Sequence, residues 1–270
     1  MTYSGQSLIN YFYKLGIRPG QQLLVHGAFK HLKHEFPDLT PDNVNATLTE
    51  LITVKGSIIY PTFTYFLKKM DGTHETFDPT TSPAATGTLA QNFWNRKDVV
   101  RSLSPTHSFA LWGQAAQEEK LLASPKSPLG SGSVLEWFSK RSDAYILFLG
   151  TDFRAFSLGH YLESITHVPW VDVFPWDHMN VVPSGVSVSG EQALIEVPGC
   201  SGGFMNFQSY LEDQHLIQHA SLGASNSMLI SISSALDQGK TFFSEHQDQL
   251  LCPARTCTAC DFRRQICGIV

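Results

Sequence analysis

This sequence is poor in the two features that would send it to a membrane or a nucleic acid. No stretch of its 270 residues approaches the ~18 consecutive apolar positions of a spanning helix. Met1–Leu15 mixes Ser, Gln, Asn and Lys and lacks the apolar segment of a signal peptide. Charged residues make up only 16% and leave a net charge of -5, whereas a nucleic acid or an anionic bilayer calls for a basic face. Neither partner is expected, and a local basic patch for a coenzyme phosphate remains compatible with that balance. With 42% hydrophobic residues, the chain is globular and long enough to bury a core without staples. Its expected place is the cytoplasm and its expected partners are small molecules, with assembly into a homo-oligomer left open.

Chemical signatures are missing too. No G-x-G-x-x-G opens a helix after a strand, and there is no Walker sequence. No internal repeat or low-complexity tract interrupts the chain. Cysteine is sparse and uneven: Cys252, Cys257, Cys260 and Cys267 crowd the end, and only Cys200 lies elsewhere.

What is present alternates helix and strand through the first half. Ser7 can cap a helix bearing Leu8, Tyr11, Phe12 and Leu15, with Gly16 as its stop. Thr40-Pro41 opens another, followed by Val44, Leu48, Leu51 and Ile52 at helical spacing. Short apolar runs at Gln22–His26, Ser57–Tyr60 and Tyr145–Leu149 end at Gly27, Pro61 and Gly150. This alternation predicts an α/β fold with a mostly parallel central sheet flanked by helices. Ligands of such sheets sit outside the carboxyl ends of the strands. Past Val181, Val186–Val188, Ser189-Gly190 and Ala193–Val197 read as a smaller antiparallel hairpin region in the C-terminal half. Two helices are expected after it, near Phe204–Leu216 and Ser225–Leu236. Residues 1–250 are expected to form the catalytic domain and 251–270 a cysteine-rich segment.

His160 and Glu163 are the candidate catalytic pair. Three residues apart on a helix, they share a face, so the carboxylate can fix the imidazole tautomer and raise its basicity. A histidine so held suits the deprotonation of an amine nucleophile; the alternative is an incidental pair on an exposed helix. His107 sits in a turn rich in hydroxyls, Arg101 to Ser108, which suits a phosphate or a pantetheine amide or simply stabilises the turn itself. The run His167–His178 packs Trp170, Phe174 and Trp176 between prolines, as a surface for stacking a sugar or base or as a lid. Cys200 is a candidate nucleophile or a small core filler. The spacing Cys252-x4-Cys257-x2-Cys260-x6-Cys267 reads as a structural zinc site, with an iron–sulfur cluster or two disulfides as alternatives.

Several segments, in order, resemble motifs of the aminoglycoside 3-N-acetyltransferase family. They are Val25-His26-Gly27-Ala28-Phe29, Tyr60-Pro61-Thr62-Phe63-Thr64-Tyr65, Phe77-Asp78-Pro79 with Ser82-Pro83 and Gly87, Arg101-Ser102 with Pro105–Phe109, Gly130 with Ser133, and Ile146–Gly150 leading to His160 and Glu163. The resemblance runs from about Leu8 to Leu236. It implies an acyl-coenzyme A-dependent N-acyltransferase with His160 as general base, Glu163 as its partner and Tyr65 at the acceptor site. It also implies coenzyme loops at His26, Gly27, Ala28 and Phe29 and at Ser102, Thr106, His107, Ser108 and Phe109. Ala28, Ser104 and Gln91 depart from the family pattern, where Ser, His and Glu are usual.

For the acceptor, charge is the guide. A polycationic aminoglycoside needs several carboxylates, yet His160–Pro183 offers only Glu163, Asp172 and Asp177, beside Trp170, Phe174 and Trp176. The expected substrate-binding residues are therefore Tyr65, Asp78, Trp170, Asp172 and Trp176. The expected acceptor is the primary amine of a nucleotide-linked amino sugar used in surface glycans. An aminoglycoside is the alternative, and a non-catalytic metal-containing binding protein on the same scaffold is the alternative of another class.

Overall fold

The computed structural model describes residues 5–171, 179–195, 199–223 and 225–269. Its first half runs α1 (Gly5–Leu15), β1 (Gln22–Gly27), α2 (Phe29–Glu35), α3 (Pro41–Ile52), β2 (Ser57–Pro61), β3 (Leu67–Lys69), β4 (Thr76–Phe77), α4 (Thr88–Trp94), β5 (Val100–Arg101) and β6 (Phe109–Gly113). The second runs α5 (Val134–Ser139), β7 (Ala144–Leu149), α6 (Leu158–Ile165), β8 (Val181–Ser187), β9 (Gly190–Ala193), α7 (Phe204–Asp213), β10 (Gln218–Leu222), β11 (Ser225–Ser231), α8 (Ile232–Glu245) and α9 (Thr258–Cys267). No helix among the described residues is long and apolar enough to cross a membrane.

Seven strands form one sheet in the order β10-β11-β7-β1-β2-β6-β5. Its covered centre explains the apolar runs: Leu23 and Val25 enter one core with α1, α3 and α4, while Leu24 between them enters the other with α5 to α8. β1 pairs in parallel with β2 and with β7, from Gln22↔Ala144 to Gly27↔Leu149, so the three strands end side by side. The α/β class, the flanking helices and the antiparallel β8–β9 hairpin are as expected; β3 and β4 from the first half extend that hairpin into a second, smaller sheet, in which β4 runs parallel to β8. The central sheet is mixed: its parallel strands are confined to the middle, and β11 and β6 join that trio antiparallel.

The helix expected over Ser225–Leu236 is instead a strand and the start of a helix. β11 lies between the two cores, so Met228 and Ile230 face one and Leu229 the other; a buried strand shows no polar alternation to betray its period. Ser231 then caps α8, accepting from the Ser234 N–H at 3.1 Å. The other starts behave as their residues dictate. Thr40 and Asn43 form a capping box ahead of α3, with Pro41 in its first turn.

Arg101 fixes the loops around the strand ends. Buried between the rings of Phe77 and Trp94, 5.0 and 4.9 Å from their centroids, it donates to the carbonyls of Ser82 and Thr62 and to the Ser108 hydroxyl. Arg101→Met keeps the packing and strands those acceptors, each costing ~1 kcal/mol or more. Urea unfolding is expected to show a loss of about 2–3 kcal/mol; a loss below about 1 kcal/mol would mean that water replaces the guanidinium.

Candidate active site

The carboxyl ends of β1, β2 and β7 open into a cleft of about 410 Å³. His26, Gly27 and Ala28 floor it, Pro61 ends β2 and Phe63 and Tyr65 follow it, and Thr151, Arg154 and His160 come from beyond β7. His160 sits one turn into α6, with Glu163 three residues on. His160 Nδ1 is 2.7 Å from Glu163 Oε2, and the other carboxylate oxygen accepts the Trp170 indole N–H at 2.8 Å. Both side chains of the pair are buried, 10% and 6% exposed. Burial alone would push Glu163 up; the charge and hydrogen bond of His160, the charge of Arg263 and the Trp170 indole outweigh it and hold the carboxyl below its ordinary range. The anion therefore fixes the Nδ1–H tautomer and leaves Nε2 as the acceptor for a substrate proton. Behind the imidazole stands the Phe204 ring, 5.1 Å between centroids. Gly159 permits that approach, because a Cβ there would meet the Phe204 ring.

The remaining candidates take varied places. His26 stacks on Phe148 at 5.3 Å, and its Nε2 lies 3.5 Å from the Ser157 hydroxyl at the head of α6. Burial pushes the His26 imidazole down to about 3, so it is neutral at physiological pH. Phe29 begins α2 and packs toward the α1–α3 core. Ser102, Thr106, Ser108 and Phe109 are buried, and the hydroxyls serve the loop itself. Ser102 accepts from Phe109 N, Ser108 donates to Thr62 O, and Thr106 bonds the His107 ring. His107 is the member of this set that meets open space. It contacts Tyr65 and lines a second cleft of about 530 Å³ with Lys69, His74 and Glu75. Tyr65 belongs to both clefts. Asp78 caps its own turn through Thr80 and lines none of these clefts. Trp170, expected on a stacking surface, is fully buried and spends its N–H on Glu163. Asp172 and Trp176 lie outside the described residues.

Sequence reasoning missed a third cleft, of about 510 Å³, which shares Thr151 and Arg154 with the His160 cleft. Its carboxylates come from three distant segments: Glu35 on α2, Asp152 beyond β7 and Glu212 on α7. No spacing rule joins those positions; only the sheet does. Gly199-Cys200-Ser201-Gly202-Gly203 spells the G-x-S-x-G of a nucleophile elbow, but the Ser201 hydroxyl donates to Arg154 O at 2.6 Å and is not bonded to His160.

The expected cysteine quartet is corrected. The Sγ atoms of Cys200, Cys252, Cys257 and Cys260 lie within 4.8 Å of one another. Cys267 instead directs its thiol to Pro169 O at 3.4 Å. Cys260 and Cys267 occupy one helix, about 10 Å apart along its axis at 1.5 Å per residue, too far to share an ion. Cys200 is thus a member of this cluster, neither a nucleophile in the cleft nor a simple core filler.

Comparison with known proteins agrees with this architecture. Aminoglycoside N(3)-acetyltransferase IV of Salmonella sp is 29% identical over 167 residues, which span 60% of this chain and 59% of that protein. The solved structure of aminoglycoside acetyltransferase AAC(3)-IVa, a histidine-to-alanine variant in complex with a gentamicin, superposes with a TM-score of 0.81 at 22% identity, covering 98% of each chain. AAC-IIIb, solved as a binary complex with CoASH, gives a TM-score of 0.70 at 18% identity over 91% of this chain and 98% of that one. The expected nucleotide-linked amino sugar is overturned by these relatives, which are named for aminoglycosides. That expectation counted carboxylates along one stretch of sequence, whereas the fold gathers Glu35, Asp152 and Glu212 beside the cleft from elsewhere. The family described as aminoglycoside 3-N-acetyltransferase matches residues 24–244, and the chain belongs to it.

Proposed function

We propose that this chain transfers an acetyl group from acetyl-coenzyme A to an amine of an aminoglycoside, with His160 as general base. The observation that carries the reading is the Trp170–Glu163–His160 hydrogen-bond chain ending in a cleft at the strand ends. His160 Nε2 takes a proton from the attacking amine as the nitrogen–carbon bond forms. Glu163 stabilises the resulting imidazolium, the carbon–sulfur bond breaks, and the departing thiolate takes the imidazolium's proton to leave as the thiol. Holding the two substrates in line in the cleft supplies much of the rate. Residues 1–250 carry this activity, and the cysteine-rich segment 251–270 has a separate role.

Charge divides the two entrances. The cleft with Lys69 and His74 suits the phosphates and pantetheine of the donor, with neutral His107 as a hydrogen-bonding wall and Glu75 as its one carboxylate among the described residues. The cleft with Glu35 and Glu212 suits the ammonium groups of the acceptor, while Asp152 on its wall is paired with Arg154. His26–Phe29 and the loop Ser102–Phe109 shape the junction, with Tyr65 between donor and acceptor. The double variant Glu35→Gln/Glu212→Gln is expected to raise KM for an aminoglycoside about tenfold, roughly 1.4 kcal/mol, and to leave KM for acetyl-coenzyme A unchanged. Equal effects on both constants would remove the assignment of entrances.

The reading is tested by thiol release from acetyl-coenzyme A in the presence of gentamicin, apramycin, sisomicin or a nucleotide-linked amino sugar. An aminoglycoside is expected to lead in kcat/KM by more than tenfold, about 1.4 kcal/mol of transition-state binding. Such turnover also excludes a non-catalytic binding protein. No turnover with any aminoglycoside would end the proposal.

A further inference from the structure

The four converging thiols have a geometry that packing alone does not require. Cys200 comes from the loop ahead of α7, Cys252 and Cys257 from the turn ahead of α9, and Cys260 from the first turn of α9. Their Sγ atoms lie within 4.8 Å of one another, and the Cys200–Cys252 separation is 3.4 Å. A disulfide needs ~2.0 Å, and all four are free thiols. Tetrahedral thiolates around an ion at ~2.3 Å stand about 3.8 Å apart, the range seen here.

The surroundings are built for that arrangement. The Gly202 N–H donates to Cys200 Sγ at 3.3 Å, and a Cβ at Gly202 would run into Cys252 Sγ. Arg264 donates to Cys252 O, and Arg255 N–H donates to Asp261, which fixes the turn around Cys257. A zinc tetrathiolate carries a net charge of -2, and two cations stand ready to offset it. Arg264 is one. The other is Arg263, 2% exposed, with Nε and Nη1 lacking a hydrogen-bond partner among the described residues. Its guanidinium presses on Gly199, next to Cys200, where any Cβ would collide with it.

We propose that Cys200, Cys252, Cys257 and Cys260 hold a structural zinc ion that clasps the C-terminal segment to the wall of the catalytic cleft. Four sulfurs with no open position match a closed structural site, and among the described residues no carboxylate or imidazole joins the cluster. Uptake of Zn²⁺ displaces the thiol protons, so the bound ion is a tetrathiolate and the protons pass to solvent. The clasp acts on the active site through short links. The Gly199–Gly203 loop that it anchors leads directly into Phe204, the ring behind His160, and Ser201 of that loop lines the cleft. Arg263, on the clasped helix, sends its charge to Glu163.

The full chain, purified without chelator, is expected to carry about one zinc by elemental analysis. Replacing zinc with cobalt(II) should give thiolate-to-cobalt charge-transfer bands and tetrahedral visible absorption. Cys200→Ser should lose most of the metal and those bands, whereas Cys267→Ser should keep both, which separates this quartet from one made of the four C-terminal cysteines. Should Cys200→Ser fail to fold, the wild-type chain carries the test: a strong chelator should lower Tm by ~10 °C or more, restored by added zinc. A metal-free chain with unaltered Tm, iron in place of zinc, or metal lost from Cys267→Ser but kept by Cys200→Ser would each overturn the proposal.

Discussion

His160→Ala is expected to lower kcat by ~100- to 10,000-fold, the usual cost of losing a general base, or about 3–5 kcal/mol of barrier. KM for acetyl-coenzyme A should move little, because the donor's expected entrance is lined by Lys69, His74 and His107 instead. The pair's geometry makes a sharper claim about Glu163. Its two oxygens serve two donors, His160 Nδ1–H and the Trp170 indole, and a glutamine has one acceptor oxygen for both. In Glu163→Gln, an oxygen turned to Trp170 leaves the amide NH₂ facing Nδ1, which moves the imidazole proton to Nε2 and removes the base. A severe loss of kcat is expected, and adding Trp170→Phe should recover part of it by freeing the oxygen for His160. A merely structural Glu163 would show no such rescue. More than half of wild-type turnover in His160→Ala would contradict the assignment.

Acid should destabilise this protein well before its carboxylates are protonated. His26 and His107 are buried, and that burial pushes both imidazoles down to about 3, with the charge of His160 a further cause for His107. In the unfolded chain each titrates near 6.5. Between those values the unfolded state binds protons that the fold refuses, so stability is full above pH ~6.5 and falls as the pH drops toward 3. Moving from pH 7 to pH 5 should cost roughly 2 kcal/mol per histidine, on the order of 4 kcal/mol for the pair. Glu163, held below its ordinary range, adds its own loss only at lower pH. Urea unfolding at the two pH values reads this directly. A change below about 1 kcal/mol would mean that both rings take up protons inside the fold.

How much of this was legible depended on the range of each interaction. Helix starts were local: Thr40 and Pro41 are consecutive, and α3 begins where they place it, with Asn43 completing a capping box that the sequence reading did not name. The catalytic pair was legible for the same reason, since one helical turn joins His160 and Glu163. The Trp170 bond to Glu163 spans a helix end and a turn, so an aromatic-rich run read as a stacking surface when one of its rings was a buried support. β11 was misread because Met228, Leu229 and Ile230 run together in a strand covered on both faces, which leaves no polar alternation to mark its period. Long-range assemblies stayed hidden. The acidic cleft draws on Glu35, Asp152 and Glu212, and the thiol cluster recruits Cys200 from 52 residues before Cys252. Spacing within the tail chose Cys267 because sequence proximity stood in for distance, and α9 carries that residue away.

The central claim is that His160 directs an acetyl group onto an aminoglycoside amine, and the product itself tests it most directly. Carbon-13-labelled acetyl-coenzyme A and gentamicin, incubated with the wild-type chain and with His160→Ala, can be followed by NMR to locate the new acetamide. The account predicts one acetyl group per aminoglycoside, on the position-3 amine that the family name specifies, formed at least 100-fold more slowly by His160→Ala. Free coenzyme A with no acetylated aminoglycoside, or an equal rate from both proteins, would contradict it.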